Sequence, residues 1–103
     1  MAHRFRSAFL RENLMLCVLE VLRGSELGEW EILELLHSRY GSTPAAREFR
    51  RVAGALIGEG YVIAEGEGKE RKLRISNRGL VLAQRLEEEY RAIVSAAGSL
   101  AVP

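Results

Sequence analysis

The fold is decided by residues 42–63, which read STPAAREFRRVAGALIGEGYVI. Thr43 can cap a helix, and Pro44 suits a first helical position because the N–H that proline lacks would be unpaired there. Apolar residues then recur at helical spacing in a stripe formed by Phe49, Val52, Ala53 and Leu56. Two glycines around Glu59 end the helix, and the apolar residues after them are typical of a strand. We therefore predict a helix from Pro44 to Ile57 that buries one face and leads into a strand.

The opposite side of this helix is basic. At about 100° per residue, Arg47 and Arg51 lie opposite Phe49, and Arg50 lies on a flank. A planar guanidinium fits guanine or phosphate, so these side chains suit a surface that binds DNA. Gly54 weakens a helix, and its place on the outer side indicates a surface that is approached closely. The alternative interpretation is a solvated, charged helix face.

Hydropathy patterns predict the remaining elements. Helices are expected over Ser7–Arg23 and Gly28–Tyr40. Strands over Tyr61–Ala64 and Arg71–Ile75 form a hairpin, and a final helix, capped by the preceding serine, runs from Asn77 to Ala97. The order predicts an α+β chain that is mostly helical, with a two-stranded hairpin and a long C-terminal helix.

Length and composition limit the function classes. With 103 residues, the chain forms one domain, which we place at residues 7–97 between a flexible arm (1–6) and a frayed tail (98–103). The 14 acidic residues are all glutamates, and only two histidines and one cysteine are present. These numbers supply no plausible catalytic constellation, so we expect no enzyme activity, no cofactor and no metal site. No apolar run approaches the ~20 residues of a membrane span, and no signal-peptide core is visible, so a cytoplasmic protein is expected.

Two helices carry apolar residues beyond what a small core needs. Phe9 and Leu16 lie away from the main apolar face of the first helix. In the last helix, apolar residues recur about every 3.5 residues, a coiled-coil-like seam that includes Leu86, Tyr90 and Ile93. We therefore predict a homodimer with these five residues in its interface.

Three short motifs resemble the PadR-like transcription regulators, within the broader MarR-like group. LGEWEI at 27–32 resembles the opening of that family's second helix, LIGEGYV at 56–62 resembles the exit from its recognition helix, and residues 71–79 resemble the exit from its wing. The family's Gly-Thr-Leu-Tyr-Pro stretch falls here on Arg47–Arg51, and its His-Gly pair is missing. The resemblance implies a winged helix-turn-helix fold, double-stranded DNA as partner, and a homodimer.

The resemblance also implies that the hairpin is a wing that lies beside the DNA. Its basic residues would contact phosphates, although charges that protect an exposed hairpin edge are nearly as good an explanation. The predicted DNA contacts are Thr43, Arg47, Arg50, Arg51, Lys69, Arg71 and Lys72.

Other features leave alternatives open. A winged helix that binds another protein instead of DNA is the main rival, favoured by the near-neutral net charge of +1 and the acidic segment Glu26–Glu34.

Trp30 is expected in the core beside Leu33. Its other interpretation, as part of an effector pocket, has no support beyond analogy with drug-binding relatives. Glu34 and His37 have the spacing of a metal site, but a polar pair on the surface is the better interpretation. Cys17 is predicted to be a buried apolar residue.

Overall fold

The computed structural model describes the backbone of residues 2–101 and the side chains of residues 6–95. Its elements are α1 (Ala2–Glu12), α2 (Leu14–Val21), β1 (Leu27–Gly28), α3 (Glu29–Tyr40), α4 (Ala46–Gly58), β2 (Val62–Glu65), β3 (Lys72–Ile75) and α5 (Asn77–Ala101). The predicted fold class is confirmed: the chain is α+β and mostly helical, with a hairpin and a long C-terminal helix, consistent with a winged-helix fold.

Asn13 divides the first predicted helix, Ser7–Arg23, into two. Its backbone leaves the helical region, with φ −132° and ψ 38°, and its side-chain Nδ2 donates to the Phe9 carbonyl at 3.1 Å. The backbone N–H of Asn13 donates to the same carbonyl at 2.9 Å, so this helical hydrogen bond is kept. The prediction of one helix was wrong at this point because the backbone angles of Asn13 are not helical. Helix α1 begins at Ala2, so residues 2–6 have helical backbone where we expected an arm.

Helix α2 lies at the centre of the domain. Helices α1, α3, α4 and α5 all pack against it, and six of its eight residues are buried. Leu16 is 7% exposed in the single chain. The all-round apolar character of this segment is therefore explained by burial within the chain and does not require a second copy.

The sheet has one more strand than the predicted hairpin. Strand order is β1-β3-β2, all antiparallel, with Leu27 opposite Leu73 and Val62 opposite Ile75. Strand β1 has only two residues, which is too short to show the alternation by which strands are found. Its pairing ties the segment before α3 to the hairpin.

Helix α4 begins two residues later than predicted. Ala45 is the N-cap and makes no side-chain capping bond, so Thr43 and Pro44 precede the helix. The Thr43 hydroxyl is instead hydrogen-bonded to Nδ1 of His37 at 3.2 Å. The capping prediction failed because this hydroxyl joins the end of α3 to the loop before α4.

Helix α5 starts against the base of the hairpin. Ser76 caps it as predicted, since its Oγ accepts the Gly79 N–H at 3.0 Å and donates to the Gly60 carbonyl at 2.7 Å. The helix continues to Ala101, four residues past the predicted end, so residues 98–101 are helical where a frayed tail was expected. Val102 and Pro103 lie outside the described residues.

Candidate nucleic-acid interface

The two sides of α4 differ as the sequence predicts. Its buried residues are Phe49, Val52, Ala53 and Leu56. Arg47, Arg51, Gly54 and Gly58 are all exposed, and an added Cβ at either glycine would meet nothing within 4 Å. The outer side of α4 is therefore not covered by other parts of the described chain. Arginines make its N-terminal end basic, and two glycines leave its C-terminal part without side chains.

Arg51 is held by a carboxylate on its own helix. Its Nη2 and Nε donate to the two carboxylate oxygens of Glu48 at 2.6 and 3.1 Å, a bidentate pair between residues three apart. These hydrogen bonds hold the pKa of Glu48 below its ordinary value and raise the pKa of Arg51. Both side chains remain largely exposed, at 69% for Arg51 and 50% for Glu48.

Arg50 is held by the neighbouring helix. Its Nε donates to Oε1 of Glu29 on α3 at 3.1 Å. Arg47 is exposed, and the ion pairs within the described part of the chain do not include it. The three arginines thus lie on one surface but differ in how strongly the protein constrains them.

Neither Glu48 nor Glu29 was predicted from the sequence to take part in this surface. The spacing of Glu48 and Arg51 is a known signal for a helical ion pair and could have identified the first. The pairing of Glu29 with Arg50 depends on how α3 and α4 pack, which no local pattern reveals.

The tip of the hairpin carries the other basic residues. Lys69 lies in a short 3-10 turn (Gly68–Glu70), and Arg71 and Lys72 follow it, all three exposed. Gly66 and Gly68 have φ of 88° and 58°, left-handed values that glycine adopts without strain. Further down the hairpin, Arg74 pairs with Glu65 at 3.0 Å. The tip therefore presents three basic side chains, alongside the exposed carboxylates of Glu67 and Glu70.

The residues predicted for a dimer interface have different surroundings. The Phe9 ring packs between Tyr40, stacked at 6.0 Å, and Tyr90, edge-on at 4.8 Å. Leu86 packs against the core of its own chain. Ile93 is 68% exposed, and the side chains of residues 91–95 are all exposed. The predicted seam is thus covered by its own chain as far as Tyr90 and becomes free only beyond it.

Three further residues show how α3 and α2 are oriented. Trp30 is 72% exposed, so its prediction as a core residue was wrong; Ile32 and Leu36 occupy the buried side of α3 instead. His37 is exposed as well.

Cys17 is fully buried as predicted, and burial raises the pKa of its thiol to about 11.

Two kinds of feature are absent from the part of the chain that the structure describes. No group of three or more His, Cys, Asp or Glu side chains there could hold a metal ion. No helix there is both long enough and apolar enough to cross a membrane.

The fold is similar to that of a solved structure described as a transcriptional regulator from Clostridium thermocellum. The TM-score is 0.79 at 17% sequence identity, and the match covers 93% of this chain and 100% of the other. At this identity the similarity shows a shared fold. No protein-family model and no curated protein matches the sequence.

Proposed function

We propose that the protein is a sequence-specific, DNA-binding transcription regulator that acts as a homodimer. The observation that carries this proposal is the asymmetry of α4, which buries Phe49 and Leu56 and exposes Arg47 and Arg51 on the opposite side. The fold it shares with a structure described as a transcriptional regulator supports the same function.

In this proposal α4 is the recognition helix. Its N-terminal half, with Arg47 and Arg51, enters the major groove and donates to guanine edges, as arginine forks do. Arg50 on the flank and Thr43 before the helix contact the DNA backbone. The hairpin acts as a wing, in which Lys69, Arg71 and Lys72 contact phosphates.

The dimer is proposed to form through the far end of α5. This 25-residue helix leaves its own domain after Tyr90 and exposes Ile93 and Val94, at 68% and 48%. A second copy would remove these apolar side chains from water, and a two-fold arrangement would present two recognition helices to two half-sites. Phe9 and Tyr90, which pack together in one chain, would flank the contact.

We propose binding without catalysis, in the cytoplasm. Neither a cofactor nor a small-molecule effector is part of this proposal.

The experiment that tests the proposal is capture of fragmented genomic DNA by the purified protein, followed by sequencing of the bound fragments. We expect an inverted repeat among the recovered fragments, because a two-fold dimer binds two half-sites. Recovery of fragments without any common sequence would contradict sequence-specific binding.

A winged helix that binds another protein is the second candidate. Trp30 on α3 is 72% exposed, and the same helix contributes to a groove of about 450 Å³ lined by Leu27, Glu31, Glu34, Leu35 and Ser38. An exposed tryptophan and an acidic, partly apolar groove favour a basic protein segment over DNA. The two candidates differ in salt dependence: affinity for DNA falls steeply with salt because counterions are released, whereas a protein complex of this kind weakens less.

A further inference from the structure

The pair formed by Glu48 and Arg51 lies on the surface that we propose reads DNA. Relative to Phe49, Arg51 lies almost directly opposite, and Glu48 lies on the flank away from Arg50. A carboxylate at this place opposes binding to phosphate, because like charges brought together at an interface suppress association. A surface that bound DNA through positive charge alone would gain nothing from the carboxylate of Glu48.

The bonding pattern leaves both partners able to bind a third group. Arg51 uses Nε and Nη2 toward Glu48, so Nη1 and the second hydrogen of Nη2 remain free. These donors form the end of the guanidinium, the part that donates to O6 and N7 of guanine. Each oxygen of Glu48 keeps a lone pair, and cytosine presents an N4 amino group in the major groove.

We propose that Glu48 is a specificity-determining residue, and that Glu48 and Arg51 together recognise a single G·C base pair. This inference rests on the proposed function. Arg51 donates to the guanine, Glu48 accepts from the cytosine of the same pair, and the hydrogen bonds between them hold both side chains in place. Guanine or thymine in place of that cytosine leaves the carboxylate facing an acceptor, which is unfavourable. Adenine offers an N6 amino group there, but its partner thymine gives Arg51 only O4 and a methyl group in place of the two acceptors of guanine.

The test is selection of binding sites from a random DNA pool with the full chain and its variants. Glu48→Ala and Arg51→Ala should each lose preference at one and the same G·C pair in every half-site. The double variant should lose no more than Arg51→Ala alone, because the two residues act as a unit. Glu29→Gln is the matched control: it frees Arg50 on the flank, so it should raise the affinity for all sequences and keep every base preference.

Glu48 and Arg51 are exposed, and Glu29 is half-buried with a 43% exposed side chain. Circular dichroism and the thermal midpoint should therefore stay close to those of the unmodified chain for all variants. The inference is overturned if Glu48→Ala raises the affinity for all DNA alike and leaves every base preference intact. It is also overturned if Glu48→Ala and Arg51→Ala affect different base pairs. If the unmodified chain selects no sequence at all, the proposed function fails together with the inference, which distinguishes that result from a failure of the inference alone.

Discussion

Arg50 on α4 and Glu29, the first residue of α3, form an ion pair in which Nε of Arg50 lies 3.1 Å from Oε1 of Glu29. The pair joins α3 and α4 on the side that α4 leaves exposed. Arg50 is therefore restrained on a flank, while Arg47 projects from the centre of the outer side without an ion-pair partner among the described residues. We assign base contacts to Arg47 and Arg51 because both lie opposite Phe49, at the centre of the outer side, and a backbone contact to Arg50 because it lies on the flank.

The hairpin, as the proposed wing, should increase the affinity for DNA of any sequence and should not select particular bases. Replacing Lys69, Arg71 and Lys72 with glutamine should weaken binding to specific and random DNA by the same factor, because phosphates are the same in every sequence. The dependence of log affinity on log salt should become flatter by about 0.9 for each phosphate that the variant no longer neutralises. Titrations at several salt concentrations measure both effects. A changed base preference with an unchanged slope would contradict the assignment.

The dimer contact should be separable from the fold. The double variant Ile93→Glu, Val94→Glu should be monomeric. It should still unfold cooperatively as a folded single chain, because both side chains are exposed in the single chain. Leu86→Glu should instead destabilise the chain by about 2–4 kcal/mol, since Leu86 packs against the core. Sedimentation velocity at micromolar concentration measures the first effect and thermal unfolding the second. A well-folded monomer of the unmodified chain would contradict the proposed dimer.

Two glycines should respond to alanine in opposite directions. A Cβ at Gly79 would lie 2.1 Å from the Tyr61 carbonyl oxygen and 2.7 Å from Ile75, so Gly79→Ala should lower the free energy of unfolding by about 2–3 kcal/mol. Gly54→Ala meets nothing within 4 Å and should raise it by about 0.5–1 kcal/mol. Denaturant titration measures both changes. Equal stability of the two variants would show that α5 does not approach the hairpin as described.

The buried thiol predicts a loss of stability in alkali. Burial raises the pKa of Cys17 from 9.0 to about 11, so the unfolded chain releases this proton at a lower pH than the folded chain. The stabilising contribution is complete below pH 9 and is lost as the pH rises toward 11, by roughly 1–3 kcal/mol. Cys17→Ala should show a smaller fall over the same interval in denaturant titrations. An equal fall in both proteins would contradict the assignment to this thiol.

The sequence predicted long periodic elements better than short or contact-dependent ones. The stripe on α4 and the cap at Ser76 were predicted correctly because each depends on residues close in the chain. The break at Asn13 is a change of backbone angles at a single residue, and β1 depends on pairing with β3, a strand far along the chain. Neither leaves a periodic signal.

Trp30 illustrates a different failure. Its size suggested a core position, but α3 turns Ile32 and Leu36 inward and leaves the indole exposed. Helical periodicity allowed more than one inward side for this helix, and only the packing of α3 on α2 decides between them. The exposed, basic side of α4 was predicted by residue and by face, while the carboxylates that hold two of its arginines were not.

The measurement that tests the central claim most directly is the affinity of Arg47→Ala with Arg51→Ala for a duplex recovered by genomic capture. The control is Arg11→Ala with Arg85→Ala, which removes the same charge from exposed positions on α1 and α5. We predict that the first pair lowers the affinity at least tenfold, because a dimer makes these base contacts in both half-sites. The control should lower it much less, and both variants should keep the thermal midpoint of the unmodified chain. If the Arg47 and Arg51 variant binds as tightly as the control, α4 does not read DNA, and the protein-binding alternative becomes the better account.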